Sequence, residues 1–328
     1  MHNTMTDEEK MLKIEDLRVH FPVRGGVFRR AVGACKAVDG VSLSLKKGQT
    51  LGLVGESGCG KSTLAKAVVK LVEPTSGSIR FKSKEVSESE DEINFRKSVQ
   101  MVFQDPAESL NSRMTVGSII GEPLEVHKIG DKSERLGRVE QLLEQVGLSK
   151  SAAKRYPFEF SGGQRQRIGI ARALALKPEL LVLDEPVSAL DVSVQSQVLN
   201  LLMDLQTELQ LTYLLIAHDL AVVKHVSDMI AVMYLGKIVE LGPAEELYSN
   251  PVHAYTKALI SAIPIPDPTI KRKKVLVPGE VPSPINPPAG CAFGHRVNHP
   301  RYQESIGGKD HFIAVGKDHW VLECPCCV

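Results

Sequence analysis

The sequence contains no long hydrophobic run. No apolar stretch approaches the roughly 18 to 20 residues that a membrane-spanning helix requires, and the strongest one, LTYLLIAHDLAVV at 211–223, is interrupted by His218 and Asp219. The N-terminal segment MHNTMTDEEKMLK is polar and acidic, unlike a signal peptide. We therefore expect a soluble, intracellular chain whose role at a membrane, if it has one, depends on partner proteins.

The sequence also has no excess of charge of either sign. Its 328 residues include 40 Lys and Arg against 39 Asp and Glu, which gives a formal net charge of +1. Proteins that bind nucleic acids generally carry a basic excess, so the composition gives no support for that function. No internal repeat is present.

Cysteine is scarce outside the C-terminal region. Two of the six cysteines lie in the first sixty residues, and the other four are Cys291, Cys324, Cys326 and Cys327. Because cytosolic chains rarely form structural disulfides, this cluster predicts either metal ligands or free thiols.

Short β-branched runs alternate with helical patterns from residue 12 to about 262, which predicts an α/β fold. The runs at 180–184 and 212–217 are apolar throughout, as is typical of central strands buried on both faces of a sheet. The other predicted strands are LKIEDLRVHF (12–21), VSLSL (41–45), TLGLVG (50–55), VQMVF (99–103) and MIAVMYLGKIVEL (229–241), and a helix is predicted at 61–72.

The segment from about 105 to 178 is helical in character. It includes ERLGRVEQLLEQVGL, in which Leu136, Val139, Leu143 and Val146 recur at helical spacing and predict a buried apolar stripe. After residue 262 the chain becomes rich in proline and contains the basic run KRKK (271–274), for which we expect an extended, solvated linker. The predicted organisation is a domain at 1–262, with a helical subdomain at about 105–178, and a C-terminal extension at 263–328.

A glycine-rich motif predicts a phosphate site. GESGCGKST (55–63) matches the pattern G-x-x-x-x-G-K-[ST] between a predicted strand and a predicted helix. Its glycines allow backbone N–H groups to point at phosphate oxygens, while Lys61 supplies a positive charge for the β- and γ-phosphates and Ser62 a hydroxyl for Mg²⁺. The predicted nucleotide-binding residues of this loop are Gly55, Ser57, Gly58, Gly60, Lys61, Ser62 and Thr63.

Polar residues at the ends of predicted strands are candidates for the metal and the chemistry. Asp184 ends the buried run LLVLD and is predicted to bind Mg²⁺, because a carboxylate there is costly without a cation. Glu185 is predicted to orient or deprotonate an attacking water. Gln104 is expected to reach the metal or the water, and His218 to donate a hydrogen bond to the γ-phosphate.

A second anion-binding pattern begins at FSGGQRQR (160–167). Here Ser161 and two glycines precede a run of good helix formers, and such a helix start presents N–H groups and the positive end of the helix dipole. Since one loop already accounts for one nucleotide, we predict that this helix start caps the γ-phosphate held by a second subunit. SALD (188–191) is expected at the same dimer seam. The predicted residues are Ser161, Gly162, Gly163, Gln164 and Asp191.

The order GESGCGKST, FQDP, FSGGQRQR, LDEPVSALD and AHD resembles an ABC transporter ATPase subunit over nearly all of residues 12–262. The stretches FQDPAESLNSRMTV, YLGKIVELG and GEVPSPINPPAGCAF are similar to the dipeptide/oligopeptide importer branch. The resemblance implies a P-loop NTPase (RecA-like) sheet core with an antiparallel β subdomain, a helical ABC-specific subdomain and a small C-terminal extension. It also implies ATP and Mg²⁺ as cofactors, and ATP hydrolysis coupled to uptake of dipeptides, oligopeptides or a related small solute.

Partners and location follow from the same resemblance. It implies a second ABC ATPase subunit, identical or different, two transmembrane permeases and an extracytoplasmic solute-binding protein, but no nucleic acid. A groove beside the Gln104 loop would receive a coupling helix of a permease. The chain would then lie at the cytoplasmic face of the inner (plasma) membrane as a peripheral subunit.

Two further features are implied less directly. An aromatic residue that stacks on adenine is expected before the phosphate loop, with Phe21 as the first candidate and Phe28 as the second. The alternative for Phe21 is an ordinary position in the hydrophobic core. Some related tails hold an iron–sulfur cluster on four spaced cysteines. Here Val297 replaces one expected cysteine and three others crowd as CPCC. Two interpretations stay open: an iron–sulfur cluster or zinc on Cys291, Cys324, Cys326 and Cys327, with His295 and His299 as substitute ligands, or reduced thiols in a small C-terminal lobe.

Two other classes of protein also contain a P-loop. One is a soluble ABC ATPase of the translation or DNA-repair type, but such proteins usually carry two cassettes or a long coiled coil, and this chain has neither. The other is a P-loop kinase, which would have no use for SGGQ or SALD. Co-purification with permeases, rather than with ribosomes, would distinguish an importer subunit from a soluble ABC ATPase.

Overall fold

The computed structural model describes residues 10–25, 30–86, 92–263, 277–308 and 310–328; Phe28 and the KRKK run lie outside them. The strands are β1 (Lys10–Gly25), β2 (Arg30–Lys46), β3 (Thr50–Val54), β4 (Ser76–Phe81), β5 (Lys84–Glu85), β6 (Val99–Val102), β7 (Leu180–Asp184), β8 (Thr212–Ala217), β9 (Met229–Tyr234), β10 (Lys237–Pro243), β11 (Phe312–Gly316) and β12 (His319–Leu322). The helices are α1 (Lys61–Val68), α2 (Glu92–Ser98), α3 (Pro106–Ser109), α4 (Val116–Val126), α5 (Lys132–Gln145), α6 (Gly162–Leu174), α7 (Val192–Leu209), α8 (Leu220–Val226), α9 (Ala244–Ser249), α10 (Ala254–Ser261) and α11 (Ala292–Arg296).

The chain forms two compact units, one comprising Met1–Glu85 and Ala217–Val328 and the other Val86–Ile216. The first unit contains an antiparallel sheet in the order β2-β1-β4-β5. The long strands β1 and β2 pair through several bulges, and their apolar residues on one face, such as Leu12, Ile14 and Leu45, are fully buried. VSLSL is therefore the end of a longer strand than the sequence predicts.

A second group of strands in the first unit carries the phosphate loop. β3 runs parallel to β9, and β9, β10, β12 and β11 follow as antiparallel neighbours. All five residues of β3 are buried. Helix α8 packs on β3 and covers one face of the strand. β12 comes from the C-terminal region, so that region supplies strands next to β10.

The second unit combines three parallel strands with most of the helices. β7 lies between β6 and β8, in parallel register with both. Every residue of β7 and of β8 is buried, as the unbroken apolar runs predict for central strands. Helices α3 to α6 fall within the predicted helical segment, with α4 packed on α5 and α6.

One detail of the helical segment differs from the prediction. Val139, Leu143 and Val146 are buried in or after α5, whereas Leu136 has 55% of its surface exposed. Leu136 lies in the first turns of α5, ahead of the residues that pack, so the apolar stripe is one turn shorter than its spacing predicts. Within the described residues, no helix combines the length and the apolar character needed to cross a bilayer.

Candidate functional site

The loop between β3 and α1 is shaped by glycines. Gly58 and Gly60 have positive φ, 80° and 112°, a backbone region that residues with a side chain rarely adopt. A Cβ at Gly60 would collide with the carbonyl oxygen of Ala37, and one at Gly55 with that of Met233. Only glycine therefore allows this loop to fold against the neighbouring backbone, which leaves Ser57 and Gly58 exposed at its tip.

Lys61 lies under this loop, at the first position of α1. Its side chain is buried, and its ammonium donates to the carbonyl oxygens of Gly55 at 2.8 Å and Glu56 at 3.1 Å. Helix α1 begins without a side-chain cap, because Gly60 is its N-cap residue. The N–H groups of the first turn, where Ser62 and Thr63 lie, and the ammonium of Lys61 form a positive cradle suited to phosphate.

The end of β7 brings two candidate catalytic residues together. Asp184 is buried with 4% of its surface exposed, and Glu185 follows it. The side-chain amide of Gln104 donates a hydrogen bond to the Glu185 carboxylate at 3.0 Å. Glu185 has φ of +46°, an uncommon conformation for a residue with a side chain, and strain of this kind concentrates at functional sites. No motif in the sequence indicates this backbone conformation.

His218 follows β8 directly and is exposed. The next residue, Asp219, caps α8 by accepting a hydrogen bond from the N–H of Ala221 at 2.8 Å. This cap stops β8 and starts the helix, so it fixes the backbone on which His218 is presented. The role of Asp219 follows from the ordinary preference for aspartate at N-caps.

The start of α6 is a capping box. The Ser161 hydroxyl accepts a hydrogen bond from the N–H of Gln164 at 3.4 Å, and the Gln164 side chain accepts one from the N–H of Ser161 at 3.1 Å. This arrangement leaves the N–H groups of Gly162 and Gly163 as the donors that the box does not use. Ser161 and Gly162 are exposed.

Gly163 also has a packing role. It is buried, and a Cβ there would collide with Cγ1 of Val194 in α7. The glycine therefore allows α6 and α7 to approach closely, in addition to the anion-binding role that its position predicts.

The SALD segment connects β7 to α7. Its terminal residue, Asp191, is exposed at the N-cap of α7 and makes no side-chain cap. The amide of Gln195 fixes the segment by donating to the carbonyl oxygens of Val187 at 3.0 Å and Leu190 at 2.9 Å. The Asp191 carboxylate is therefore presented on a constrained loop, and no motif in the sequence indicates the part that Gln195 plays.

Phe21 lies in β1, opposite Cys35 in β2, and 41% of its surface is exposed. A core position is thus excluded, and the ring is accessible for stacking. The adenine contact itself stays a prediction.

Three of the four C-terminal cysteines converge. The sulfur atoms of Cys291, Cys324 and Cys327 all lie within 4.8 Å of one another, and those of Cys291 and Cys327 are 3.5 Å apart. Hydrogen bonds from the thiols of Cys291 and Cys327 lower the pKa of Cys324, while hydrogen bonds to Cys291 and Cys324 raise the pKa of Cys327. The lowered pKa of Cys324 favours the thiolate, which is the form of cysteine that binds metals.

The remaining candidate ligands lie outside this group of three. Cys326 donates its backbone N–H to the sulfur of Cys324 at 3.3 Å. The His295 ring packs against Tyr302, and Nδ1 of His299 accepts a hydrogen bond from the N–H of Arg301. Among the described residues, neither histidine joins the three thiols.

A buried polar cluster around Glu240 was not predicted. Its carboxylate is fully buried and accepts hydrogen bonds from the N–H groups of Val252 at 2.8 Å and His253 at 3.0 Å, and from Nε2 of His319 at 2.8 Å. Burial disfavours the charged carboxylate, but these donors hold the pKa of Glu240 below its ordinary value. Because His319 lies in β12, the cluster fastens the C-terminal region to β10.

His253, which donates its backbone N–H to Glu240, is also buried and has a shifted pKa. Its Nδ1 caps α10 by accepting a hydrogen bond from the N–H of Tyr255 at 3.1 Å. Burial lowers the pKa of His253 to about 4, since the charged imidazolium is poorly solvated there.

Two family models match the sequence. Residues 38–188 match the model described as ABC transporter, and residues 239–301 match the model described as oligopeptide/dipeptide transporter, C-terminal region. The first match includes the phosphate loop and the SGG helix start, and the second includes Glu240, Cys291 and Arg296.

Curated relatives match over most of the chain. The oligopeptide transport ATP-binding protein AppF of Bacillus subtilis is 54% identical over 95% of this chain and 98% of its own length. OppF of Salmonella typhimurium, also named an oligopeptide transport ATP-binding protein, is 53% identical over 90% of each chain. The dipeptide transport ATP-binding protein DppF of Haemophilus influenzae is 47% identical over 94% of this chain and 98% of its own.

Two solved structures have the same fold. One is cbiO1 from Clostridium perfringens, part of the ABC transporter complex cbiONQ, with a TM-score of 0.64 and 29% identity over 74% of this chain and 92% of that one. The other is an ATP-binding cassette solved as a dimer in a post-hydrolysis state bound to ADP and Pi, with a TM-score of 0.63 and 27% identity over 71% of this chain and 99% of that one. The predicted fold class is confirmed.

Proposed function

This chain belongs to the ABC transporter ATP-binding proteins of the oligopeptide/dipeptide branch, and from that premise we propose that it hydrolyses ATP to drive peptide uptake through partner permeases. The observation that carries the proposal is the pairing, in one chain, of a glycine-cradled phosphate loop with the oligopeptide/dipeptide transporter C-terminal region. The soluble-ATPase alternative is not favoured, because relatives that match nearly the whole chain are named as transport proteins.

The proposed roles begin with nucleotide binding. The fit to ATP rests on the uncapped start of α1 and on the buried ammonium of Lys61, which suit the triphosphate. Ser62 and Asp184 offer the hydroxyl and carboxylate oxygens that Mg²⁺ prefers, with Gln104 as a further oxygen ligand. A bound Mg²⁺ would neutralise charge on the phosphates. Ser57, Thr63 and Phe21 are proposed to contact the nucleotide.

Glu185 is proposed as the residue that orients or deprotonates the attacking water. The hydrogen bond from Gln104 orients its carboxylate, a group that can accept a proton from water. His218 is proposed to donate a hydrogen bond to the γ-phosphate, where negative charge is concentrated.

A dimer is proposed to complete the site. The exposed start of α6, with Ser161, Gly162, Gly163 and Gln164, would seal the nucleotide of a second ATPase subunit, and Asp191 would lie at the same seam. The dimeric ATP-binding cassette with a similar fold supports this assembly.

The proposed assembly also contains two permeases and an extracytoplasmic solute-binding protein. The chain would work as a peripheral subunit at the cytoplasmic face of the inner (plasma) membrane. The names of the relatives support peptide transport. The second ATPase subunit of the proposed assembly is an identical or a different chain.

Uptake of a labelled oligopeptide tests the function. Cells lacking this chain should fail to accumulate the peptide, the wild-type chain should restore accumulation, and the Glu185→Gln chain should not. Affinity purification of the chain should recover hydrophobic permeases. Recovery of ribosomes without permeases, together with unchanged peptide uptake, would contradict the proposal.

The geometry of the C-terminal cysteines indicates which metal group they suit, a single zinc ion or an iron–sulfur cluster. Ligand sulfurs on one tetrahedral zinc ion lie about 3.8 Å apart, close to the 3.5 Å between Cys291 and Cys327. A cluster held by four cysteines fits poorly, because Cys326 lies outside the group of three. We infer that the tail holds reduced thiols able to bind one thiophilic ion.

Metal analysis of the anaerobically purified chain tests this inference. We expect no iron–sulfur absorbance band, and zinc binding that Cys324→Ser weakens at least about tenfold while Cys326→Ser leaves it unchanged. Stoichiometric iron and sulfide, with equal losses in both variants, would restore the four-cysteine cluster.

A further inference from the structure

The phosphate loop carries one acidic side chain, Glu56, and that side chain is bound by a distant arginine. Nη1 of Arg296 donates a hydrogen bond to Oε2 of Glu56 at 2.7 Å, across 240 residues of sequence. Arg296 ends α11, a short helix of the C-terminal region. The C-terminal region therefore contacts the loop that is proposed to bind ATP.

The backbone of Glu56 is fixed as well. Its N–H donates to the hydroxyl of Tyr255 at 2.9 Å, and its carbonyl oxygen accepts a hydrogen bond from Lys61 at 3.1 Å. The side chain of Glu56 is the third point of attachment. Lys61 donates its hydrogen bond to the backbone of Glu56. Movement of Glu56 would therefore also move the ammonium group that is proposed to contact the phosphates.

Arg296 is itself held rigidly. Only 9% of its side chain is exposed, and Nε donates to the carbonyl oxygen of Gly279 at 3.3 Å. Phe293, one turn earlier in α11, is buried and packs against the rings of Tyr234 and Tyr255. A buried guanidinium is costly unless it is paired, so the fixed position of Arg296 favours the ion pair with Glu56.

The charges of Glu56 and Arg296 affect the binding of a triphosphate to the phosphate loop. A carboxylate in a phosphate-binding loop repels a triphosphate, and a guanidinium at 2.7 Å neutralises it. Resting on the proposed function, we propose that Arg296 is a positioning residue for ATP, which fixes the phosphate loop through Glu56 and cancels its negative charge.

Nucleotide affinity and turnover test the proposal. In the assembled transporter, Arg296→Gln should raise the KM for MgATP roughly tenfold, within the usual range for coupling between two sites, and change kcat less than about twofold. The Kd for MgATP of the full chain, measured in the Glu185→Gln background, should rise by the same factor. Arg296→Lys, which keeps the charge, should lie between wild type and Arg296→Gln.

A second substitution separates positioning from folding. Glu56→Gln removes the uncompensated carboxylate, so the double variant with Arg296→Gln should bind MgATP more tightly than Arg296→Gln alone. The matched control is Arg301→Gln, since Arg301 lies in the same region and pairs with Glu304 at the surface, with 57% of its side chain exposed. The control should leave KM and Kd unchanged.

The outcomes are distinct. A loss of thermal stability in Arg296→Gln with KM and Kd within twofold of wild type would show that the ion pair is only structural, and so would failure of Glu56→Gln to restore affinity. If the wild-type chain does not bind MgATP, the proposed function fails instead.

Discussion

At the scale of single residues, Glu185 combines an uncommon backbone conformation with a fixed carboxylate. Its N–H donates to the carbonyl oxygen of Ile216 at 3.0 Å, and Ser188 donates its hydroxyl to the carbonyl oxygen of Glu185 at 3.2 Å. Strain of about 1–3 kcal/mol is typical for such a backbone. These bonds hold the residue in place against it, and the carboxylate remains within reach of Gln104.

Glu185→Gln should bind ATP as wild type does but lose most of its hydrolysis. Positioned proton transfer contributes about 10²–10⁴-fold to rate, and the amide cannot accept a proton from water. Phosphate release by the full chain, with nucleotide affinity measured in parallel, provides the check. Gln104→Ala should lower the rate less, since Gln104 orients Glu185, and equal activity of wild type and Glu185→Gln would remove Glu185 from the chemistry.

His253 should make the protein less stable in mild acid. Its folded pKa of about 4 lies below the ordinary value of about 6.5, so the unfolded chain takes up the proton first. The stabilisation is complete above about pH 6.5 and is lost as pH falls toward 4, by roughly 3 kcal/mol.

Urea unfolding between pH 4 and pH 7.5 measures that loss. His253→Asn keeps an N-cap acceptor for α10 but cannot titrate, so its stability should fall less steeply over this range. The neighbouring Glu240, with a lowered pKa, contributes its own loss at lower pH in both proteins. Parallel curves for the two proteins would show that the pKa of His253 is the same in the folded and the unfolded chain, which would contradict the prediction.

At the scale of elements, the starts of α1 and α6 present similar donors with different expected uses. Lys61→Ala should abolish ATP binding, because it removes the buried cation of the phosphate loop. Ser161→Arg should leave binding by its own chain largely intact but prevent ATP-driven dimer closure, since a long cation would replace the exposed start of α6. Nucleotide titration and sedimentation with ATP in the Glu185→Gln background distinguish them. Equal loss of affinity in both would contradict the shared site.

The elements themselves were largely predictable. β7 and β8 lie where unbroken apolar runs indicate, because burial on both faces leaves a local signature. β3 lies within the strand predicted at 50–55. Boundaries were less certain: α1 ends at Val68, four residues before its pattern does, and the 229–241 run divides into β9 and β10 at a turn where Leu235 and Gly236 have positive φ.

Contacts between distant residues could not be predicted. Motif spacing indicated Lys61, Asp184 and Glu185 as site residues, but the partners Arg296 of Glu56 and His319 of Glu240 are 240 and 79 residues away. Such pairs produce no periodicity in sequence, so only the fold reveals them. The positive φ of Glu185 likewise depends on tertiary context rather than on local preference.

At the scale of the whole molecule, the C-terminal region is built into the first unit. β12 pairs with β10, placing Val321 opposite Glu240 and Trp320 opposite Leu241. His319 buries its ring beside the Glu240 carboxylate. The predicted boundary at residue 263 stays a prediction, but residues on either side of it share one sheet.

His319→Gln should lower the free energy of unfolding by about 1–3 kcal/mol, because it weakens a hydrogen bond to a buried carboxylate. His311→Gln is the matched control: His311 pairs with Glu323 at the surface, where 69% of its side chain is exposed, and its loss should change stability by less than about 0.5 kcal/mol. Urea unfolding of both variants at pH 7 makes the comparison. Equal effects would show that the β10–β12 connection contributes little.

The pairing of β10 with β12 also imposes an order on biosynthesis. β10 leaves the ribosome about 80 residues before β12, an interval of roughly 4–16 s at ordinary translation rates. During that time β10 is an open sheet edge with a half-satisfied carboxylate, the kind of surface that captures strands of other chains. Nascent molecules therefore depend on β12 to close this edge before they encounter one another.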